Sequence, residues 1–60
     1  MTITQGKELK ASDRPVKLNI DGEWYPYFGK VREVTEFNLT MEYHDHFKTV
    51  SLAYIDDFII

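Results

Sequence analysis

His44 and His46 are separated by one residue, and a pair with this spacing could bind a metal ion. A zinc site needs three or four ligands at close range, and the chain has no other histidine and no cysteine. Residues 44–46 are therefore predicted to form a solvent-exposed turn, with no metal and no cofactor bound.

The residues that could act in catalysis are few. Asp56 and Asp57 are two adjacent carboxylates, but adjacent residues in one turn rarely converge on a shared proton. We predict that one of them caps a turn or a 3₁₀ helix. Ser12 and Ser51 lack the sequence context of an activated nucleophile, and the isolated glycines form no phosphate-binding loop. We therefore expect no catalytic residues and no enzymatic activity.

Four aromatic residues surround one proline in the segment Trp24-Tyr25-Pro26-Tyr27-Phe28. Successive side chains of a strand point to opposite faces, so these rings cannot all enter the core of a small domain. Either Tyr25 and Tyr27 or Trp24 and Phe28 are expected to face outward. Exposed rings are enriched at protein interfaces, although residues 1–13 could cover them and base stacking is a third use.

The interpretation we favour is a protein-binding surface on an aromatic edge strand, whose partner is a host protein or a second copy of the chain. A monomer and a homo-oligomer are both left open by the sequence. The predicted contact residues are Trp24, Tyr25, Tyr27 and Phe28, with Glu23 and Arg32 as a polar rim.

Nucleic-acid binding is the alternative hypothesis, because basic side chains interleaved with aromatic rings can bind single strands. Acidic residues on the same strands would cancel much of the positive field, and the net charge of the chain is −3. The basic residues that would bind phosphate are Lys17, Lys30, Arg32 and Lys48.

The elements that must position these side chains are predicted from hydrophobic alternation. Residues 16–20 alternate apolar and polar, as in a strand buried on one face, and Asp21-Gly22 then predicts a type I′ hairpin turn. The second strand would span 23–35, with Pro26 at an edge or bulge and a further bulge or sharp bend between Gly29 and Val34.

The rest of the chain predicts three more strands. A polar turn at 35–38 precedes a third strand over 39–43, and the turn at 44–46 precedes a fourth strand over 47–52. A 3₁₀ turn over 53–57 then leads into a fifth strand at 58–60, expected to pair with the first strand.

The length of 60 residues allows one domain, and its 43% hydrophobic content argues for a folded chain. We predict an all-β fold, a small five-stranded SH3-like or Sm-like barrel over residues 14–60. Residues 1–13 would form an arm, with a short strand at 2–4 and Gly6 interrupting any helix. No apolar run is long enough to span a membrane and no signal sequence is recognised, so a cytoplasmic protein is expected.

Several aliphatic spacings resemble those of the C-terminal barrel of the YolD-like proteins, and the resemblance covers residues 16–60. It implies an accessory protein of a phage or other mobile element, or of a DNA damage response, and it transfers no catalytic residue. The glycine-centred strand also resembles the first Sm motif, except that Thr35 stands where Sm proteins carry an acidic residue. The matching segments are Gly29-Lys30-Val31-Arg32-Glu33-Val34, Leu39-Thr40-Met41, Val50-Ser51-Leu52 and Ile55-Asp56-Asp57-Phe58-Ile59-Ile60.

Overall fold

The computed structural model describes all 60 residues, from Met1 to Ile60. The elements are α1 (Ile3–Ser12), β1 (Val16–Ile20), β2 (Tyr27–Val34), β3 (Asn38–Tyr43), β4 (His46–Ser51), a 3₁₀ turn (Leu52–Tyr54) and β5 (Ile55–Ile59). The five strands form one antiparallel sheet in the order β4-β3-β2-β1-β5, which confirms the predicted all-β class. The two outer strands, β4 and β5, are not paired with each other, so the sheet is open.

The amino-terminal segment is helical, so the predicted strand at residues 2–4 is wrong. Thr2 caps the helix: its hydroxyl accepts a hydrogen bond from the Gln5 N–H, and the Gln5 side chain accepts one from the Thr2 N–H. This reciprocal pair is a capping box, which satisfies two backbone donors that have no partner inside the helix. The helix ends at Asp13, whose φ of 52° lies in the left-handed region.

Gly6 lies inside this helix rather than interrupting it, because its position faces the sheet. A Cβ at Gly6 would lie 3.2 Å from Cγ1 of Val34 and 3.7 Å from Cδ1 of Leu39. The missing side chain therefore allows close approach of α1 to β2 and β3. Leu9, one turn further on, is buried in the core.

The type I′ turn is found at His44-Asp45 and not at the predicted Asp21-Gly22. His44 and Asp45 both have positive φ, 50° and 63°, and the flanking Tyr43 and His46 are paired directly. In the earlier turn only Gly22 has positive φ. The first two strands therefore do not form a two-residue hairpin.

Residues 23–26 lie outside the sheet as a loop, because pairing of the first two strands begins only at Leu18 with Tyr27. The predicted second strand is thus shorter at its start, and Pro26 precedes it. Since β2 is the central strand of the sheet, the expectation that this aromatic segment forms an edge strand is wrong.

The second strand serves two parts of the sheet. Residues 27–29 pair with β1, and residues 30–34 pair with β3. The register shifts between Val31 and Glu33, which confirms that strand regularity breaks in the predicted range, between Gly29 and Val34. Gly29 lies just before this point, where a Cβ would overlap the backbone carbonyl of Glu42. The close approach of the two backbones therefore requires glycine.

The last two strands follow the prediction in order and pairing. Leu18 of β1 pairs with Phe58 of β5, which confirms the expected neighbour of the fifth strand. Because β5 begins at Ile55, Asp56 and Asp57 are exposed strand residues, and the prediction that they cap a turn is wrong. Ser51 caps the 3₁₀ turn instead, accepting a hydrogen bond from the Ala53 N–H.

The core lies between the inner faces of the strands and the apolar side of α1. Leu9 comes from α1, and the other buried residues come from the strands and the 3₁₀ turn. No helix is long and apolar enough to cross a membrane. The buried hydrophobic residues are Leu9, Val16, Leu18, Ile20, Tyr27, Val31, Leu39, Met41, Val50, Leu52 and Ile55.

Candidate protein-binding surface

The aromatic segment divides into one buried ring and three exposed rings. Trp24 is 97% exposed, Tyr25 63% and Phe28 61%, whereas Tyr27 is only 6% exposed. Of the two expected arrangements, the one with Trp24 and Phe28 outward is found, but Tyr25 is exposed as well. Tyr27, which we predicted to be a contact residue, belongs to the core instead. We use the name aromatic surface for these three exposed rings, Trp24 and Tyr25 in the loop and Phe28 on β2.

Tyr27 is held in the core by contacts on three sides. Its ring centre lies 5.5 Å from that of Tyr25 and 4.9 Å from that of Tyr43 in an edge-on arrangement. The Lys48 ammonium lies 5.0 Å from the same ring centre. Burial of the phenol, together with the nearby Glu23 carboxylate, raises the pKa of Tyr27 to about 12. The phenol is therefore neutral at physiological pH.

The loop that presents Trp24 is anchored on both sides of this residue. On one side the Glu23 carboxylate lies 3.5 Å from the Lys48 ammonium. On the other side the Tyr25 ring packs against Tyr27. Trp24 lies between these two anchors with almost its whole surface in contact with solvent. The loop is thus attached to the sheet by its neighbours while the indole is left free.

Phe28 reaches the surface in a different way, from within the sheet. It is the second residue of β2 and follows the inward Tyr27, so alternation directs it to the outer face. Its partner across the ladder is Lys17, whose ammonium lies 6.0 Å from the Phe28 ring centre. Phe28 is therefore an exposed aromatic on a rigid element.

The amino-terminal helix does not cover the aromatic surface. Its contacts with β2 involve Val34, near the end of the strand that is remote from Tyr27. Lys10 at the last turn lies 3.9 Å from Glu33, in the same part of β2. The alternative in which residues 1–13 shield the outer aromatic rings is therefore not found.

The basic residues of the alternative hypothesis do not form one stripe. Lys30 and Arg32 share the carboxylate of Asp13, at 3.9 and 3.2 Å, and Arg32 Nε also donates to Glu42 at 2.8 Å. The structure thus brings Lys30 and Arg32 together, but it pairs both with carboxylates. Lys48 is paired with Glu23 at another part of the sheet.

Lys17 differs from the other three basic residues because it forms no ion pair. It lies across from Phe28, away from the carboxylate that Lys30 and Arg32 share. The free positive charge at this part of the outer face therefore comes from one side chain.

An open depression of about 280 Å³ lies beside Phe28. Arg32, predicted as part of the polar rim, lines it, whereas Glu23, the other predicted rim residue, is engaged by Lys48. The lining contains as many lysine and arginine side chains as carboxylates, so it has no strong preference for an anion or a cation. The residues are Pro15, Phe28, Gly29, Lys30, Arg32, Glu42, Tyr43, His44 and Asp45.

The two histidines lie at the hairpin turn and are both exposed. The ring of His44 lies 5.6 Å from that of Tyr43. No group of three or more histidine, cysteine, aspartate or glutamate side chains is close enough to hold a metal ion.

Two contacts of Tyr27 were not predicted from the sequence, namely those with the Tyr43 ring and with the Lys48 ammonium. Both depend on the pairing of the strands, which the sequence alone does not give.

Three exposed aromatic side chains, two in a loop and one on a strand, are consistent with many classes of protein. Comparison with protein-family models, with curated proteins and with solved structures gives no match. The geometry of the aromatic surface is therefore the basis for the function proposed below.

Proposed function

We propose that this chain is a non-enzymatic protein-interaction module that binds a partner protein through Trp24, Tyr25 and Phe28. The observation behind this proposal is the exposed fraction of Trp24, 97%, in a loop whose neighbouring residues are anchored. An indole in this position contributes little to the stability of the folded chain. It does offer a large apolar surface for an interface, where tryptophan is a frequent hot-spot residue.

Anchoring of the loop supports the same proposal. Binding immobilises side chains and loops, and the free energy lost in this way reduces affinity. Because Glu23 and Tyr25 already hold the loop against Lys48 and Tyr27, less of that cost remains for the encounter with a partner. Phe28 on β2 adds a second apolar contact from a rigid strand.

The broader part of the proposal concerns the biological setting. The resemblance of residues 16–60 to the YolD-like family implies an accessory protein of a phage or other mobile element, or of a DNA damage response. We infer that such an accessory protein binds and modulates a host protein. The placement of β5 beside β1 agrees with the strand order of a small SH3-like or Sm-like barrel, the fold that this resemblance implies. In this setting the aromatic surface is the part that contacts the host protein.

A comparison of two exposed aromatic residues tests the proposal. Trp24→Ser removes the loop indole, and Phe37→Ser removes a ring that is 70% exposed in the turn between β2 and β3. Tagged wild-type and variant chains would be used to recover proteins from the native host, after thermal unfolding has shown equal stability. We expect a partner that is retained by Phe37→Ser and lost by Trp24→Ser. Retention of every partner by both variants would contradict the proposal.

A protein partner is favoured over nucleic acid because three of the four candidate basic residues are already paired with carboxylates. Phosphate contacts would also make affinity fall steeply with the logarithm of the salt concentration. We expect no chemical-shift changes when a single-stranded oligonucleotide is added at low salt. Salt-sensitive changes at Lys17, Lys30 and Tyr25 would instead support the nucleic-acid alternative.

A further inference from the structure

One cross-strand row on the outer face combines two exposed apolar residues with a lysine. Lys17 on β1 pairs with Phe28 on β2 and with Ile59 on β5, so the three side chains lie side by side. The next residue on β1, Leu18, is fully buried, which places the row on the opposite, solvent-facing side. Ile59 is 53% exposed. This row is therefore an apolar patch with a positive charge at its centre.

A negative charge lies on the adjacent row. Asp57 on β5 pairs with Asn19 on β1, two residues along from the pairing of Lys17 with Ile59. The Asp57 carboxylate accepts a hydrogen bond only from the backbone N–H of Phe58, at 2.8 Å. Neither Lys17 nor Asp57 belongs to an ion pair within the chain. The patch thus presents a lysine and an aspartate without ion-pair partners at diagonal positions of neighbouring strands, where Cα atoms are about 7–8 Å apart.

We propose that this outer face of β1 and β5 binds a second copy of the chain, with Lys17 of each copy paired with Asp57 of the other. In a two-fold symmetric interface residue i meets residue j and residue j meets residue i. When two such faces pack together, the two-fold axis lies in the plane of contact. If it crosses the diagonal between Lys17 and Asp57 at its midpoint, Lys17 of each copy lies opposite Asp57 of the other, and both ion pairs form.

The same axis passes close to Ile59, which lies beside the middle of the diagonal. Ile59 of one copy therefore packs against Ile59 of the other, and the apolar contact lies between the two ion pairs. A second copy of the chain presents an aspartate opposite Lys17 and a lysine opposite Asp57, so the patch is complementary to itself in charge. This is the reason for assigning the face to self-association and not to an unrelated partner.

The dimer is independent of the proposed function, because the residues that define it exclude Trp24 and Tyr25. Phe28 belongs to both the aromatic surface and the cross-strand row, and it is therefore left unchanged in the experiment. If the chain stays monomeric and still binds its partner through Trp24, only the dimer proposal fails. If the chain dimerises but recovers no partner that depends on Trp24, only the proposed function fails.

Charge reversal at the two positions gives a specific test by sedimentation at several protein concentrations. Lys17→Glu alone and Asp57→Lys alone replace two attractive contacts per dimer with two repulsive ones, so each should weaken association by about tenfold or more. Mixing the two variants should restore association, because the new glutamate of one chain meets the new lysine of the other. The double variant should dimerise as the wild type does.

Two matched variants control for net charge. Lys7→Glu on the exposed side of α1 and Asp21→Lys in the exposed turn after β1 make the same changes of charge elsewhere, and neither residue forms an ion pair. Both should leave the association constant within about twofold of the wild type. A wild type that stays monomeric at millimolar concentration would overturn the proposal. A dimer that is weakened equally by Lys17→Glu and Lys7→Glu would also overturn it, since that result indicates pairing elsewhere.

Discussion

The ammonium group of Lys48 lies 5.0 Å from the centre of the Tyr27 ring, where a buried aromatic face attracts the cation. The same ammonium lies 3.5 Å from the Glu23 carboxylate. One lysine on β4 therefore holds both the first residue of the β2 strand and the loop that precedes it. The loop that carries Trp24 is thus attached to a lysine that is remote in the sequence.

Replacement of Lys48 by methionine should loosen the loop while retaining the apolar part of the side chain. The loss of one cation–π contact and one partly exposed ion pair should lower the free energy of unfolding by about 0.5–1.5 kcal/mol. The amide signals of residues 23–26 should also show increased motion. Lys7→Met, at an exposed helix position, serves as the control in urea unfolding and NMR relaxation. Equal effects of the two substitutions would mean that Lys48 does not anchor the loop.

The buried phenol of Tyr27 should make stability depend on pH in the alkaline range. Burial raises its pKa from the ordinary 10.0 to about 12, so between these values the folded chain binds more protons than the unfolded chain. The free energy of unfolding should therefore be unaffected by this group below about pH 10 and should fall as the pH rises through 12.

Phenolate absorbance and urea unfolding, each measured against pH, check this expectation. Tyr27→Phe should remove the latest phenolate transition and this part of the alkaline loss of stability. If the titration of the variant matches that of the wild type above about pH 10, the assignment to Tyr27 is wrong.

Two turns of the chain should respond to the same substitution with opposite signs. Asp45 has a φ of 63°, so Asp45→Gly should relieve strain and increase the free energy of unfolding by about 0.5–1 kcal/mol. Asp21 does not have positive φ, so Asp21→Gly should decrease it by about 0.5–1 kcal/mol through greater freedom of the unfolded chain. Urea unfolding of both variants measures the difference, and stabilisation by Asp21→Gly would place the type I′ turn at the earlier position.

Gly29 and Gly22 should differ sharply in their tolerance of alanine. A Cβ at Gly29 would overlap the Glu42 carbonyl of the neighbouring strand, so Gly29→Ala should cost at least about 3 kcal/mol or prevent folding. Gly22 has open space around it but a φ of 85°, so Gly22→Ala should cost only about 1 kcal/mol. Thermal unfolding followed by circular dichroism separates these cases. Similar melting temperatures for the two variants would contradict the close pairing of β2 and β3.

The strands were largely predictable because each buries one face, and alternation records that directly. Val16, Leu18 and Ile20 all point inward as their spacing indicates. The irregularity in β2 after Gly29 was predictable for a related reason, since Val31 and Val34 cannot share one face of a regular strand. Alternation shows which face of a strand is buried, but it does not show whether the sheet closes into a barrel. Whether the sheet is open depends on which strands pair, and no single strand carries that information.

The helix was missed because Gly6 has a low intrinsic helix propensity and its packing role depends on β2. A local signal was nevertheless present, since Thr2 followed three residues later by Gln5 is the pattern of a capping box. The burial of Leu9 could not be deduced without knowing which face of α1 meets the sheet.

The candidate surface was predicted in its segment but not in its details. Alternation around Pro26 could not assign Trp24 and Tyr25 to a loop, because the start of β2 depends on long-range contacts. Tyr27 is drawn inward by Tyr43 and Lys48, which are distant in the sequence. The preference of Asp21-Gly22 for a tight hairpin is outweighed by the contacts of Glu23 and Tyr27 with Lys48. With these contacts in place, residues 23–26 lie outside the ladder of β1 and β2.

The pairing of Leu18 with Phe58 has a consequence for the order in which the chain folds. The pairs of β2 with β3 and of β3 with β4 join neighbouring segments, and they need only short loops to close. The ladder between β1 and β5 instead joins residues about 40 positions apart, so its formation carries a larger loss of chain entropy. Contacts of this separation slow folding. The three-stranded meander can therefore assemble early, and capture of β5 by β1 sets the time needed to complete the fold.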